Sequence, residues 1–131
     1  MYERILVPLD GSQTAEIVLP YAEDIAARFG ARLVLVSVSD SGAPDSVHLY
    51  NLYLEHAKEQ IQRRLKGYKT KREAKLHSEV LQGKPADEIL RYATDNNIKL
   101  IVMASHGSSS QGPWSLGNIA GKVLRATESP V

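Results

Sequence analysis

Residues 100–120, LIVMASHGSSSQGPWSLGNIA, carry the pattern that best indicates the fold of this chain. The apolar run 100–103 is too short for a helix and lacks the alternation of a half-exposed strand, so it predicts a strand covered on both faces. A small polar loop with three glycines follows, and after Gly117 the apolar residues recur at helical spacing. A strand, a glycine-rich loop and a helix start form an arrangement that binds phosphate, because unpaired main-chain N–H groups can approach a ligand there.

The preceding part of the chain alternates strand and helix patterns. Apolar runs predict strands at 5–7 and 33–38, and a more polar strand, typical of a sheet edge, at 75–82. Capping residues and helical spacing predict helices over 12–29, 47–65, 85–97 and 117–126, with the start of a fifth strand at 130–131. Pro20 lies inside the first helix, where we expect a kink and not a break because the apolar stripe continues through it.

Alternating strands and helices imply an α/β fold, with a doubly wound open parallel sheet, right-handed crossovers and helices on both faces. The length of 131 residues suits a single domain spanning residues 1–131. In such sheets a ligand binds beyond the carboxyl ends of the strands, at the point where the strand order reverses. Asp10, Val38 and the loop 104–117 all follow strand ends, so they meet in one crevice if strands one and four are neighbours.

Composition excludes several classes of protein. The net charge of +1 provides no global field for nucleic acid or a membrane surface, and the absence of cysteine excludes disulfides and cysteine-ligated zinc. No apolar run reaches transmembrane length and MYERILVPLD is not a signal peptide, so we expect a soluble cytoplasmic protein. The spacing of His48 and His56 does not suit chelation of one metal, and the basic run 63–75 is more typical of a solvated helix end than of a nucleic-acid site.

The common nucleotide and hydrolase motifs are absent. Gly107 and Gly112 fit the beginning of a Walker A loop, but Pro113 and Trp114 stand where that loop needs lysine and a hydroxyl residue. No GxGxxG follows the first strand, and the serines lie in no GxSxG.

Several stretches together resemble the universal stress protein family. They are ILVPLDGS at the N-terminus, GKPADEIL at 83–90, KLIVMASHG at 99–107 and LGNIAGKVLRATESPV at the end. ATP-binding members of that family carry G-x2-G-x9-G-(S/T), and here Ala104, Gly107, Gly117 and Asn118 fall at its spacing. The resemblance covers essentially the whole chain and implies a Rossmann-like sheet of the adenine nucleotide alpha hydrolase type, with strand order 3-2-1-4-5.

The resemblance also implies an adenine-nucleotide site. In the family, positions matching Pro8, Asp10 and Val38 hold adenine and ribose. The loop after the fourth strand wraps the ribose and phosphates, which matches Met103, Ala104, His106, Gly107, Gly117, Asn118, Ile119 and Ala120. Two positions depart from the motif: Ala104 replaces a glycine, which a negative φ would allow and a positive φ would not, and Asn118 replaces the hydroxyl residue. From the residues alone, Asp10 is as well explained as a turn residue, and His106 as a supporting loop residue.

Three functions follow as hypotheses. The first is a regulatory module of the stress response that binds ATP or AMP; because the loop 104–118 contains no Lys or Arg, we expect Mg2+ to be held by the phosphates. The second is a slow ATPase, for which Asp10 and His106 are the candidate bases and no catalytic residue is assigned. The third is a member that binds no nucleotide and acts through protein contacts. The family resemblance implies a homodimer, and a regulatory protein partner is expected but not identified by the sequence.

Overall fold

The computed structural model describes residues 3–11, 16–39, 43–65 and 75–104. These residues form four strands and three helices in alternation. In chain order they are β1 (Arg4–Pro8), α1 (Leu19–Phe29), β2 (Arg32–Ser39), α2 (Pro44–Leu65), β3 (Leu76–Gln82), α3 (Pro85–Asp95) and β4 (Leu100–Ile101). All strand pairs are parallel, which confirms the predicted α/β class.

The sheet has the strand order β3-β2-β1-β4. Ile5 pairs with Leu33 on one side and with Leu100 on the other, so strands one and four are neighbours as the crevice hypothesis requires. The chain adds β2 and β3 on one side of β1 and then returns to add β4 on the other side. With right-handed crossovers, α1 and α2 therefore lie on one face of the sheet and α3 lies on the other. The predicted fifth strand at 130–131 lies outside the described residues.

The core lies on both faces of the two central strands. Ile5, Leu6 and Val7 of β1 have no exposed surface, and every residue from Leu33 to Ser39 in β2 is buried. The helices cover these strands with small and branched side chains, listed here as Leu19, Ala22, Ala26, Leu54, Ala57, Ile61, Ala86 and Ile89. In β3, exposed and partly buried residues alternate, as expected of a strand near the sheet edge.

Two helix starts differ from the prediction. The predicted helix 12–29 is interrupted before Pro20: residue 16 is helical, residues 17 and 18 form a turn, and α1 begins at Leu19 with Pro20 in its first turn, while residues 12–15 lie outside the described residues. A proline there displaces no hydrogen bond, since the first N–H groups of a helix have no partner within the helix. Helix α2 begins at Pro44 and not near residue 47, and a proline again starts the helix. The predicted cap Ser12 lies outside the described residues.

An ion pair between a buried carboxylate and a half-exposed guanidinium joins α1 to the end of α2. Glu23 is 2% exposed, and its carboxylate accepts hydrogen bonds from Arg64: Nε lies 3.0 Å from Oε1 and 3.1 Å from Oε2, and Nη2 lies 2.6 Å from Oε1. A carboxylate removed from water needs such a partner, because burying an unpaired charge costs several kcal/mol. The two-pronged contact therefore fixes the end of α2 against α1.

We expect Arg64→Ala to lower the free energy of unfolding by about 1–3 kcal/mol, less than for a fully buried pair because the Arg64 side chain is itself 45% exposed. Urea unfolding measures the change. Arg63→Ala, at the neighbouring exposed position, is the control and should change stability by less than about 0.5 kcal/mol. Equal losses in the two variants would show that the Glu23 contact contributes nothing specific.

Candidate functional site

The predicted site begins where β1 and β4 end side by side. Pro8 is the last residue of β1, and Asp10 follows it by two residues. Val102, directly after β4, donates its N–H to the Leu6 carbonyl at 2.9 Å, which brings Met103 and Ala104 to the same edge of the sheet. This is the point where the strand order reverses, the position at which open α/β sheets bind ligands.

Pro8 ends the pairing between β1 and β4. The registered pairs are Ile5 with Leu100 and Leu6 with Ile101. In a parallel ladder the next donor toward β4 would be the N–H of residue 8, which proline lacks. The ladder between the two strands therefore ends just before Asp10 and Met103, which allows a crevice between the segments that follow.

Asp10, Met103 and Ala104 differ in exposure. The first two are partly buried, whereas Ala104 is 9% exposed. Among the described non-glycine residues, positive φ occurs at Asn97, so Ala104 has a negative φ. Alanine in place of the family's glycine thus causes no backbone strain at this position, which resolves the question that the sequence left open.

The main-chain N–H and C=O of Val38 face the β1 side of the sheet, but Val38 itself is fully buried. Along β2, the Arg32 N–H donates to Glu3 on the β1 side at 3.0 Å, and the Leu33 N–H donates to Lys75 on the β3 side at 2.8 Å. By this alternation Val38 directs its N–H and C=O toward the β1 side, beyond the end of β1. Val38 has no exposed surface, so a ligand that contacts its main chain has to displace the groups that cover it.

A buried serine holds the end of β1 on the β2 side. The Leu9 N–H donates to the Val36 carbonyl at 2.8 Å, and the Leu9 carbonyl accepts the Ser37 hydroxyl at 2.7 Å. Sequence reasoning missed Ser37 because it lies inside an apolar strand. The available signal was the hydroxyl itself, since a polar group in a strand buried on both faces requires a hydrogen-bond partner.

A second residue that the sequence analysis missed is Tyr53 of α2. Its hydroxyl is buried and has no hydrogen-bond partner. Burial, followed by the negative charges of Glu16 and Asp10, raises the pKa of this hydroxyl above its ordinary value. The tyrosine therefore lies next to the segment that leaves β1, a contact between distant parts of the chain that spacing in sequence does not indicate.

The remaining predicted site residues are His106, Gly107, Gly117, Asn118, Ile119 and Ala120, which lie outside the described residues. Within the described ranges no group of three His, Cys, Asp or Glu side chains could hold a metal ion. None of the three helices given above is both long and apolar enough to cross a bilayer.

A separate open groove of about 260 Å3 lies between β3 and α3, and its lining residues are Glu79, Leu81, Glu88, Arg91, Tyr92, Asp95 and Asn96. None of these belongs to the predicted site.

The Tyr53 hydroxyl gives a test of this local geometry. We expect Tyr53→Phe to leave the free energy of unfolding unchanged or to raise it by roughly 0.5–1 kcal/mol, because a buried hydroxyl without a partner is unfavourable. Tyr92→Phe is the matched control: its hydroxyl lies beside the Glu79 carboxylate and is not among the buried unpaired atoms of the described residues, so its removal should cost about 1 kcal/mol. Chemical denaturation measures both changes. A loss at Tyr53 as large as that at Tyr92 would mean that its hydroxyl has a partner after all.

A parallel α/β sheet whose strand order reverses between β1 and β4 defines a class of proteins that place their ligand sites at that point, and comparison with known proteins identifies the family. The model of the universal stress protein family matches residues 1–131. Universal stress protein MJ0531 of Methanocaldococcus jannaschii is 33% identical over 138 aligned positions, which cover 100% of this chain and 81% of that protein. The chain belongs to the universal stress protein family.

Solved structures agree with this assignment. Universal stress protein UspA from Lactobacillus plantarum is 29% identical, with a TM-score of 0.73 over 99% of this chain and 95% of that one. A universal stress protein solved in complex with cAMP has the same fold, with a TM-score of 0.73 at 19% identity, and the match covers 99% of this chain and 94% of that one.

Proposed function

We propose that this protein is a regulatory module of the stress response that binds an adenine nucleotide, ATP or AMP. The observation that supports the proposal is that β1 and β4 are neighbouring parallel strands, with Asp10 following the end of β1 and Met103 and Ala104 following the end of β4. Membership of the universal stress protein family supports it, and the relative in complex with cAMP is a case of this fold with an adenine nucleotide bound.

Each described residue has a distinct role in this proposal. The Asp10 carboxylate accepts hydrogen bonds from the ribose hydroxyls, since an ionised carboxylate is an acceptor only. The main chain of Val38 contacts the adenine edge after the groups that cover it move aside. Pro8 keeps β1 and β4 apart, and Met103 with Ala104 forms the opposite wall of the crevice.

The phosphates require a different kind of contact. The loop 104–118 has no Lys or Arg, so we assign phosphate binding to main-chain N–H groups near Gly107 and Gly117, to the start of the helix expected there, and to His106 with Asn118, Ile119 and Ala120. One helix end contributes about 0.3–1 kcal/mol per favourable charge, which is too little to offset a triphosphate. We therefore propose that Mg2+ is bound with the nucleotide, with the phosphates as its main ligands.

Nucleotide binding is tested with the purified protein. We expect adenine nucleotide in the supernatant after denaturation, or a change in Trp114 fluorescence and a higher melting temperature on titration with Mg-ATP; Trp114 is the one tryptophan. Asp10→Ala should weaken binding about tenfold through the lost charge-assisted hydrogen bonds, whereas Asp95→Ala, exposed at the end of α3, should not. No released nucleotide and no response up to millimolar Mg-ATP would contradict the proposal and favour a member that acts through protein contacts alone.

We also propose, on the family resemblance, a cytoplasmic homodimer that passes nucleotide occupancy to a protein partner. Light scattering of the purified chain should then give twice the mass of 14.4 kDa. A monomeric mass at micromolar concentration would contradict the dimer without bearing on nucleotide binding.

A further inference from the structure

The direction in which the chain leaves β1 depends on one peptide group. The Leu9 carbonyl and the Asp10 N–H belong to the same planar unit, so the direction of the carbonyl fixes that of the N–H. The Leu9 carbonyl would be the next acceptor of the β1–β2 ladder after the bond between the Leu9 N–H and Val36. It accepts the Ser37 hydroxyl at 2.7 Å.

The surroundings of Ser37 show that this hydroxyl is not explained by packing. Ser37 has no exposed surface and lies on the same face of β2 as Leu33 and Leu35, which are equally buried. An apolar residue would suit such a position better, because a buried hydroxyl is unfavourable unless it is hydrogen-bonded. Its contribution is therefore the bond to Leu9, two residues after Val7 and directly before Asp10.

We propose that Ser37 is a positioning residue of the nucleotide site, which orients the peptide group between Leu9 and Asp10 and so directs the Asp10 carboxylate at the ribose. This inference rests on the proposed function. The inference adds to the proposed function a residue, Ser37, that touches no ligand and sets the affinity for nucleotide through Asp10. On the other side of the same strand end, Pro8 offers no N–H to β4. The end of β1 is therefore unpaired toward β4, and on the β2 side it is held by the side chain of Ser37.

The proposal is tested with Ser37→Ala, with adenosine and Mg-ATP as probes. Asp10 contacts the nucleoside part that the two probes share, so both should bind about tenfold more weakly, which corresponds to about 1.4 kcal/mol. Ser37→Thr keeps the hydroxyl and should restore most of the affinity. Arg64→Ala, which lowers stability at the distant contact between α1 and α2, should bind both probes as the unmodified protein does.

A double-mutant cycle with Asp10→Ala separates positioning from a general structural effect. If Ser37 acts through Asp10, Ser37→Ala causes no further loss of affinity when Asp10 is already alanine. A full additional loss in that background, or unchanged affinity of Ser37→Ala beside a lowered melting temperature, would overturn the proposal. Should Ser37→Ala fail to fold, Ser37→Cys, of similar size and a weaker donor, takes its place with the same expectations.

The two failures can be told apart. If the unmodified protein binds neither adenosine nor Mg-ATP, the proposed function fails and this inference fails with it. If the unmodified protein binds and the Ser37 variants bind equally well, the inference alone is overturned and the nucleotide function stands.

Discussion

The end of β1 is the constraint on which the rest of this site depends. From Ile5 to Val7 the strand has no exposed surface, and it is paired with β2 on one side and with β4 on the other. At Pro8 it loses the donor that would continue the ladder toward β4, and at Leu9 its carbonyl accepts a side chain of β2. Both ladders therefore end within two consecutive residues, and Asp10 is the next residue in the chain. A crevice between two buried, paired strands can form only where both ladders stop.

Strand β2 holds the neighbouring segments in a similar way. Ser39, the last residue of β2, is buried; its carbonyl accepts the Gly83 N–H at 3.1 Å and its hydroxyl donates to Ser46 at 3.0 Å. These bonds tie the start of α2 and the turn before α3 to the same strand that fixes Leu9. Two hydroxyl groups of β2 thus hold the end of β1 and the start of α2, and the Ser39 carbonyl holds the turn before α3. Such bonds are short-range and directional, so they set loop positions more narrowly than apolar packing does.

More of the fold than of the candidate site could be predicted from the sequence. Unbroken apolar runs located β1, β2 and β4 because strands buried on both faces have no polar alternation, and the polar β3 followed from the same logic. Strand order came from the family resemblance, since periodicity says nothing about which strands are neighbours. The apolar stripe did not show that a turn at residues 17 and 18 precedes Pro20, because such a stripe continues across a helix start as readily as across a kink. Ser37 and Tyr53 escaped notice because their hydroxyl groups meet segments that are distant in sequence, and only the folded chain brings those segments together.

Ala104 replaces a glycine of the family motif, and whether the replacement is tolerated depends on the backbone conformation at that position. A glycine at such a position can serve either a positive φ or the close approach of a ligand, and the two requirements tolerate alanine differently. Here φ is negative, so the first requirement is absent, and the alanine is 9% exposed, so little of its surface faces the crevice. The substitution therefore does not argue against a nucleotide, and any decisive steric limit falls to Gly107 and Gly117.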